Sequence, residues 1–435
     1  MNFDKLNCVI QGIDNISLPK MMKVRQKFST RELADPVACL SEQLKTGISD
    51  QVIRGLKGKR IGITAGSRGI PHYAELMRTL VSQLKDWGAE PFVFPAMGSH
   101  AGATGEGQKA YLSQFGITEE NIGCPILSSM DVVEIATLDD GLPVYCDCNA
   151  AAADGIVIFH KVKPHTHFKD RHESGLLKMI CIGIGKHKGA STFHQYGFDD
   201  FCHNMERVAE EFLRNINVVF SVGLVQNVYD DLGYIEVIPT EKFIERDAAL
   251  LEIAKQEMPD LNAFKDIDVL IIDEIGKEIS GQGFDPNITG RTEVISQQAA
   301  FRAIAPNIRK IALLDISEKS HGLGIGMGYA DIVSYRFVNK LDFSSTYTNI
   351  ITNNYLQGAA MPVYANSDLE AIKICILTSM VKDKSKVKIV RIKNTLSLFE
   401  VEVSEAYTEL VNSNDNLEIV SEPYYWQFNQ SDDLW

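Results

Sequence analysis

The 435-residue chain lacks the features that mark zinc-binding, secreted and membrane proteins. Its eight cysteines include the C-x-C pair Cys146 and Cys148 but no paired C-x-x-C pattern, so a zinc site built on thiolates is not expected. The first residues, "MNFDKLNCVIQGIDN", do not read as a secretory signal. No apolar run approaches the roughly 18–20 residues that span a bilayer. We therefore expect a soluble, cytoplasmic protein with free cysteines and no membrane partner.

Positive charge is also scarce. The 43 Lys and Arg residues stand against 57 Asp and Glu residues, which gives a net charge of −14. This balance argues against nucleic acid as a partner, because such proteins carry basic surfaces. A small anionic substrate would therefore need a local basic pocket.

The pattern of apolar residues along the chain predicts an α/β fold. The segment "RIGITAG" at 60–66 predicts a buried strand, 72–88 an amphipathic helix, and 91–96 a second strand. A strand, a helix and a strand at this spacing form a βαβ unit, whose two strands are parallel. Further central strands are predicted at 155–162 and 217–225, followed by a helix at 239–258.

A second α/β series follows a turn near 259–266. Strands are predicted at 268–276, 310–316 and 387–394, and helices at 292–305 and 366–381. We expect two α/β domains with mostly parallel sheets, 1–262 and 263–435, and an active-site cleft between them. The last ~20 residues, rich in aromatic and acidic side chains, either pack back or form a mobile tail.

Polar residues follow several of these strands. Ligands of parallel sheets bind at the carboxyl ends of the strands, where the loops converge. Ser67 and Arg68 follow the first strand, His100 lies in the glycine-rich turn after the second, and His165 and His167 follow the third. A fourth loop, "EISGQGFDPNITGR", follows the first strand of the second domain. We expect these four loops on one rim of the cleft.

Histidines and one lysine stand out between 160 and 203. Seven of the ten histidines lie there, a density typical of metal or proton chemistry. Lys178 lies in the apolar run "ESGLLKM", and two interpretations remain open. Its stem packs while its ammonium reaches water, or its amine is a covalent anchor. Arg68 is likewise either a solvated arginine or a clamp on a carboxylate or phosphate.

Taken together, these motifs resemble the lactate racemase family and its superfamily of nickel-pincer-nucleotide-dependent racemases and epimerases. The matching pieces occur in the family's order across about 60–291. They are "SRG", "GSHAGATGEGQ", "KPHTHF", "ESGLLKM", "GIGKHKGA" with His194, and "DEIGKEISGQGFDPN".

The resemblance implies a cofactor and a set of site residues. Lys178 would carry the nickel-pincer nucleotide (pyridinium-3,5-bisthiocarboxylic acid mononucleotide nickel), and His194 would ligate the nickel. His100 and His165 would be the two general acid/bases, with His167 as an alternative to His165. The remaining expected contacts are Ser67, Gly98 and Gly102 with the cofactor, and Arg68, His167, Lys277 and Arg291 with the substrate.

The resemblance also implies a reaction, the inversion of the α-carbon of a 2-hydroxy acid. One histidine takes the hydroxyl proton while hydride leaves Cα for the cofactor, and hydride then returns to the other face of the keto group. The residues after Asn287 depart from the substrate-contacting tyrosine, glutamine and lysine of lactate racemases. A larger or differently charged hydroxy acid than lactate is therefore expected. Cofactor-synthesis enzymes would be transient partners, and an oligomer remains open.

Two other functions compete with this one. The histidine cluster is also typical of a metal-dependent lyase or hydrolase that works with zinc or manganese. The chain is alternatively a non-catalytic homologue that binds a metabolite without turning it over.

Overall fold

A computed structural model describes residues 3–67, 69–353 and 355–434, except for the side chains of residues 352 and 353. The chain divides into two compact units. The central unit is Ser29–Met258, and the terminal unit combines Met1–Phe28 with Pro259–Trp435.

Strands alternate with helices along the described residues. The strands are β1 Met21–Gln26, β2 Arg60–Ala65, β3 Glu90–Pro95, β4 Val132–Thr137, β5 Pro143–Asp147, β6 Gly155–Lys161, β7 Val218–Gln226, β8 Leu232–Pro239, β9 Asp266–Ile275, β10 Asn307–Ile316, β11 Ile332–Val333, β12 Val363–Tyr364, β13 Ile389–Ile392, β14 Glu400–Ser404 and β15 Leu417–Ile419.

The α-helices vary from single turns to about four turns. They are α1 Pro36–Gly47, α2 Asp50–Gly55, α3 Tyr73–Asp86, α4 Gly105–Ser113, α5 Glu119–Ile122, α6 Cys148–Ala151, α7 Leu176–Lys178, α8 Lys186–Gln195, α9 Phe201–Asn215, α10 Phe243–Gln256, α11 Pro286–Thr289, α12 Gln298–Ile304, α13 Tyr335–Lys340, α14 Phe343–Asn353, α15 Asp368–Thr378 and α16 Thr408–Asn412. A π-helix, Met179–Ile184, joins α7 to the turn before α8.

The sheet of the central unit has the order β3-β2-β6-β7-β8. Its first four strands are parallel, with β2 and β3 in the register Ile63↔Val93, which confirms the predicted βαβ unit. Only β8 runs antiparallel, against β7. Because β2, β3 and β6 are parallel, the loops that carry Ser67, His100 and His165 leave the same edge of one sheet.

The sheet of the terminal unit has the order β12-β11-β10-β9-β13-β14-β1-β15. Strands β12 to β13 in this order are parallel, and β14, β1 and β15 add antiparallel pairs. The expected α/β class with mostly parallel sheets is thereby confirmed. The predicted fourth loop follows β9, so it belongs to this sheet and not to the sheet of the central unit.

The first residues group differently from the predicted domain 1–262. Strand β1 pairs with β14 in the register Met22↔Val403 and with β15 on its other side, so Met1–Phe28 groups with the C-terminal residues. Along the chain, the terminal unit resumes at Pro259, and the predicted boundary lies near 262. The partners of β1 lie at the other end of the chain, so no local sequence pattern indicates this pairing. For that reason the prediction placed β1 with the residues that follow it in sequence.

The end of the chain packs back onto the terminal unit. Tyr424 exchanges main-chain hydrogen bonds with Met21, and the Leu434 N–H donates to Asp368 Oδ2 at 2.9 Å. This is the packed alternative of the two that the sequence left open. Among the helices of the described residues, we find none that is both long and apolar enough to cross a bilayer.

One predicted helix starts later than its pattern indicates. The segment 292–305 was expected to be helical, but α12 begins at Gln298 after a 3-10 turn, Ile295–Gln297. The Thr292 hydroxyl accepts from the Val294 N–H at 3.3 Å. Such side-chain-to-backbone bonds and β-branched residues compete with helix initiation.

Candidate active site

Lys178 ends the single turn α7 within a buried apolar segment. Its side chain is half-buried, whereas the leucines before it and the methionine after it are fully buried. The π-helix that follows is a rare geometry, frequent at functional sites. Gly183 lets the π-helix pack closely against the main chain at Ala96, because a Cβ on Gly183 would lie 2.4 Å from Met179 Sδ and 2.7 Å from the Ala96 carbonyl oxygen. The segment that presents the amine is thus fixed against the end of β3.

The amine of Lys178 contacts His165. The distance from Lys178 Nζ to His165 Nε2 is 2.5 Å, and His165 Nδ1 accepts from the His167 main-chain N–H at 3.0 Å. Burial lowers the pKa of His165 well below its usual value, and positive charge on Lys178 and His167 lowers it further. The imidazole of His165 is therefore neutral at pH 7.

A buried carboxylate, Glu173, fixes the loop 163–174 that carries His165. Its Oε2 accepts from the His165 main-chain N–H at 2.7 Å and from Lys169 Nζ at 2.6 Å. Its Oε1 lies 3.3 Å from Lys255 Nζ of α10. The two ends of the loop also pair through an antiparallel β-bridge. The histidine is consequently held by its own main chain, independently of any ligand.

His194 lies near the end of α8 and belongs to the same group of side chains. Desolvation lowers its pKa to about 4, and the charges of Lys178 and His167 act in the same direction. Although the residue as a whole is exposed, its ring lies 6.0 Å from that of Phe198 between centroids. At neutral pH the ring is uncharged and keeps a nitrogen lone pair, which a metal ligand requires.

Three phenylalanines form an aromatic cluster beside the histidines. Phe168, Phe198 and Phe201 have ring centroids 4.9–5.8 Å apart. The ring of His165 lies 4.6 Å from that of Phe168, and the ring of His167 lies 5.1 Å from that of Phe198. The aromatic cluster supplies the apolar surroundings that favour neutral imidazoles.

His100 is exposed in the glycine-rich loop after β3. Its Nδ1 lies 2.7 Å from the Met97 carbonyl oxygen. A carbonyl only accepts, so Nδ1 carries the proton and Nε2 keeps the lone pair that a general base needs. The side chain of Gln108 donates to the carbonyls of Gly98, at 2.9 Å, and His100, at 3.3 Å, and so holds the loop.

The glycines of this loop have different environments. Gly98 has φ +57° and is buried, and a Cβ there would lie 3.4 Å from the carbonyl oxygen and Cγ2 of Ile182 in the π-helix. Gly102 has φ +71° and is exposed, with no atom within 4 Å of a Cβ placed on it. The loop of His100 therefore packs through Gly98 against the segment that follows Lys178.

Lys186, the first lysine of "GIGKHKG", is held by buried contacts within the protein. It is fully buried with φ +54°, donates to the Pro95 carbonyl, and forms an ion pair of 3.0 Å with the buried Asp147. Desolvation lowers the pKa of Lys186, and Asp147 opposes that shift. The hydrogen bond to Pro95 and the ion pair with Asp147 anchor the start of α8 to β3 and β5.

A second buried network holds the start of α7. Asp247 of α10 accepts from the Leu176 N–H at 2.5 Å, and its other oxygen lies 2.7 Å from His172 Nδ1. His172 Nε2 faces Glu206 Oε1 at 3.2 Å. A Cβ on Gly175 would lie 2.2 Å from Asp247 Oδ1, so only glycine leaves room for this carboxylate.

Ser67 and Arg68 follow β2 in the sequence. Ser67 is buried, next to Gly66, whose N–H donates to the Tyr73 hydroxyl at 2.8 Å. A Cβ on Gly66 would lie 2.9 Å from the ring of His160 and 3.2 Å from Met179 Cε. The predicted Arg68 lies outside the described residues, so its role stays a prediction.

Lys277 and Arg291 belong to the terminal unit. Lys277 is exposed, and its Nζ donates to Asn349 Oδ1 at 3.0 Å. Arg291 forms an ion pair of 2.7 Å with Asp331 and donates to the Tyr329 carbonyl at 2.9 Å. These contacts explain how the two cations are held, and their expected roles toward substrate stay predictions.

The donor set suits a group that brings most of its own metal ligands. Across residues 3–67, 69–353 and 355–434, no three His, Cys, Asp or Glu side chains are arranged to hold a metal ion. The chain offers instead a half-buried amine and a neutral imidazole, those of Lys178 and His194. The cofactor implied by the sequence resemblance would use such an amine for its attachment and such an imidazole as a ligand.

Sequence reasoning missed the residues that hold the site. Glu173 and Phe168 are inside quoted motifs, but nothing in their spacing distinguishes them from surface or core residues. Gln108 is likewise inside a quoted motif, whereas Asp147 and Asp247 reach the site from distant elements and have no local signal at all.

The fold places the chain among mixed α/β proteins with mostly parallel sheets. Its structure is similar to that of the lactate racemase apoprotein from Thermoanaerobacterium thermosaccharolyticum, with a TM-score of 0.50 and 17% sequence identity. The match covers 86% of this chain and 93% of that one. The resemblance seen in the sequence is thereby confirmed at the level of the fold.

A solved protein from Thermotoga maritima also matches, with a TM-score of 0.47 and 14% identity over 66% of this chain and 72% of that one. Neither a protein-family model nor a curated protein matches the sequence.

Proposed function

We propose that the chain is a racemase or epimerase of a 2-hydroxy acid that works with a nickel-pincer nucleotide tethered to Lys178. The observation that carries the proposal is the joint position of Lys178, His165 and His194. A half-buried amine and two neutral imidazoles meet there, on a fold similar to that of a lactate racemase apoprotein.

The residues of the chain fit the cofactor in distinct ways. Lys178 would form the covalent link, and His194 would donate its lone pair to nickel. Ser67, Gly98 and Gly102 would line the nucleotide, since glycines let main-chain N–H groups approach a phosphate. When bound, the cofactor supplies a reversible acceptor for hydride, and the protein supplies orientation and proton transfer.

The proton chemistry falls to His100 and His165. The lone pair on His100 Nε2 can take the hydroxyl proton of one enantiomer, and His165 acts on the other. Imidazoles serve both directions near neutral pH. His167 remains the alternative to His165, and its ring lies 5.4 Å from that of His165 between centroids.

The substrate carboxylate would meet local positive charge on a chain that is acidic as a whole. Lys163 and Lys169 both act electrostatically on His165, and Arg68 is the predicted clamp. Lys277 and Arg291 are proposed to supply further cations, as a larger or differently charged acid than lactate would need.

The test is to produce the chain together with the cofactor-synthesis enzymes. Intact-protein mass and nickel content are measured for the wild type and for Lys178→Arg, which keeps the charge but cannot form the link. We expect a mass increase and bound nickel in the wild type alone. A wild type without either would rule out the proposal.

The loaded enzyme is then given a panel of 2-hydroxy acids in deuterated water. We expect loss of optical rotation without deuterium at Cα, because hydride transfer keeps the Cα hydrogen. His100→Gln and His165→Gln should each lower the rate by about 10²–10⁴-fold while retaining the mass increase. Binding without loss of optical rotation would instead favour the non-catalytic homologue.

A further inference from the structure

The segment 3–6, which forms neither helix nor strand, is bound to the terminal unit by the side chain of Asn366. The Leu6 N–H donates to Asn366 Oδ1 at 2.6 Å, and Asn366 Nδ2 donates to the Leu6 carbonyl at 2.9 Å. The main chain of Asn366 is fixed separately, because its N–H donates to Glu370 Oε2 at 2.5 Å. The amide group that binds Leu6 is therefore held in place by the terminal unit itself.

Two tyrosines and a second asparagine bind the main chain of the residues before Leu6. The Tyr335 hydroxyl donates to the Phe3 carbonyl at 2.8 Å, and the Tyr364 hydroxyl donates to the carbonyl of the next residue at 3.1 Å. Asn339 Oδ1 accepts from the Phe3 N–H at 3.3 Å, while its Nδ2 donates to the Tyr335 carbonyl at 3.0 Å. These five hydrogen bonds to the segment fix its backbone path and require no particular side chain.

Side-chain contacts add selectivity to this binding. The ring of Phe3 lies 6.0 Å from that of Phe343 and, edge to face, 5.6 Å from that of Tyr364, between centroids. Lys5 Nζ lies 5.6 Å from the centroid of the Tyr335 ring, a cation–π contact. The surface thus favours an aromatic side chain followed two positions later by a cation. We call it the segment site, formed by Tyr335, Asn339, Phe343, Tyr364 and Asn366.

The residues that follow the segment lie in solvent. Asn7, Cys8 and Val9 are all exposed, Val9 to 98%, and the next secondary structure is the 3-10 turn Ile13–Asn15. A connection of this kind can swing out without loss of packing. That property is what allows an identical element to exchange between two copies of a chain.

We propose that the segment site is a peptide-recognition site that accepts the segment 3–6 of a second copy of this chain, with the chain's own segment as the competing occupant. The contacts are the same in both cases, because the same atoms make them. The own segment competes at an effective concentration of about 1 mM, as is usual for a short flexible connection. The site therefore opens to a second copy when the own segment is displaced or weakened. The inference concerns the terminal unit and holds whether or not the proposed racemase function is correct.

The experiment separates segment and site with two full-length variants. The site variant, Tyr335→Phe with Asn366→Ala, loses three of the five hydrogen bonds but keeps its segment. The segment variant, Phe3→Ala with Leu6→Pro, loses the aromatic anchor and the N–H that Asn366 binds, but keeps its site. In sedimentation velocity at about 100 µM, tenfold below the effective concentration of the own segment, we expect an equimolar mixture to reach about twice the mass of either variant alone.

Adding Phe3→Ala and Leu6→Pro to the site variant removes the segment from both partners and should abolish the complex. A mixture that sediments like its separate components overturns the proposal, and so does a complex that survives this removal. Thermal unfolding midpoints report whether each variant folds.

A peptide measurement decides the question even if the site variant does not fold. The dye-labelled peptide NFDKLN, the sequence of residues 2–7, is titrated with the segment variant and followed by fluorescence anisotropy. We expect a Kd below about 100 µM, and binding at least about tenfold weaker for the peptide carrying Leu6→Pro, which cannot donate to Asn366. As a matched control, Asn412→Ala, an exposed asparagine at the end of α16, should leave the affinity unchanged, whereas Asn366→Ala lowers it. Equal affinity of the two peptides, or the absence of saturable binding, overturns the proposal.

Discussion

Gly175 offers a sharp test of how the lysine segment is held. A Cβ on Gly175 would lie 2.2 Å from Asp247 Oδ1 and 3.0 Å from its Cγ. The Gly175→Ala variant therefore forces this carboxylate to retreat by roughly 1 Å before a normal van der Waals separation is reached. Because Asp247 is 1% exposed, it has no adjoining solvent to move into.

The cost of this change has two parts. Overpacking of a tight interior costs about 1–3 kcal/mol. The retreat also breaks or lengthens the charged hydrogen bond from the Leu176 N–H, now 2.5 Å long, and such a bond contributes about 1.5–3 kcal/mol. We expect Gly175→Ala to destabilise the segment 172–184 by about 3–5 kcal/mol in total, with the contact to His172 lost as well.

Amide hydrogen exchange followed by mass spectrometry measures this locally. Each 1.4 kcal/mol is a factor of ten, so protection across 174–184 should fall by about 100-fold or more. The matched control is Gly55→Ala at the end of α2, where no atom lies within 4 Å of the added methyl group. We expect at most about 1 kcal/mol there, in the stabilising direction. Unchanged protection around Lys178 in Gly175→Ala would refute the reasoning.

Two further predictions concern charge. The Asp147→Asn variant leaves the Lys186 ammonium buried without its counter-charge, and its free energy of unfolding, measured with urea, should fall by about 3–5 kcal/mol. The double variant Asp147→Asn with Lys186→Met should recover part of this loss. Strictly additive effects of the two substitutions would contradict the prediction. The imidazole of His194 should titrate by NMR near its pKa of about 4 instead of 6.5. Between these pH values the unfolded state binds more protons than the folded state, so the free energy of unfolding should fall as the pH drops from 6.5 toward 4. The His194→Gln variant should lose less stability over the same range. A midpoint near 6.5 would contradict the desolvation of this ring.

Much of the fold could be predicted because buried parallel strands have a continuous apolar pattern. Strands β2, β3 and β6 lie where such runs occur, and the polar residues that follow them lie at one sheet edge, as the parallel arrangement requires. Strand β1 could not be assigned to its unit, because its partners β14 and β15 come from the other end of the chain.

The sequence by itself determined which residues are candidates for the proposed chemistry: the amine in an apolar run, the histidines around it and the glycine-rich turn. Residue type and local spacing are written in the chain, so motifs of this kind are readable without coordinates. Only the tertiary structure decided that Lys178 contacts His165, that Glu173 and Asp247 hold the two, and that Lys186 is a buried structural ion pair. Hydrogen bonds and desolvation depend on distances between elements far apart in sequence, and these distances exist only once the chain has folded.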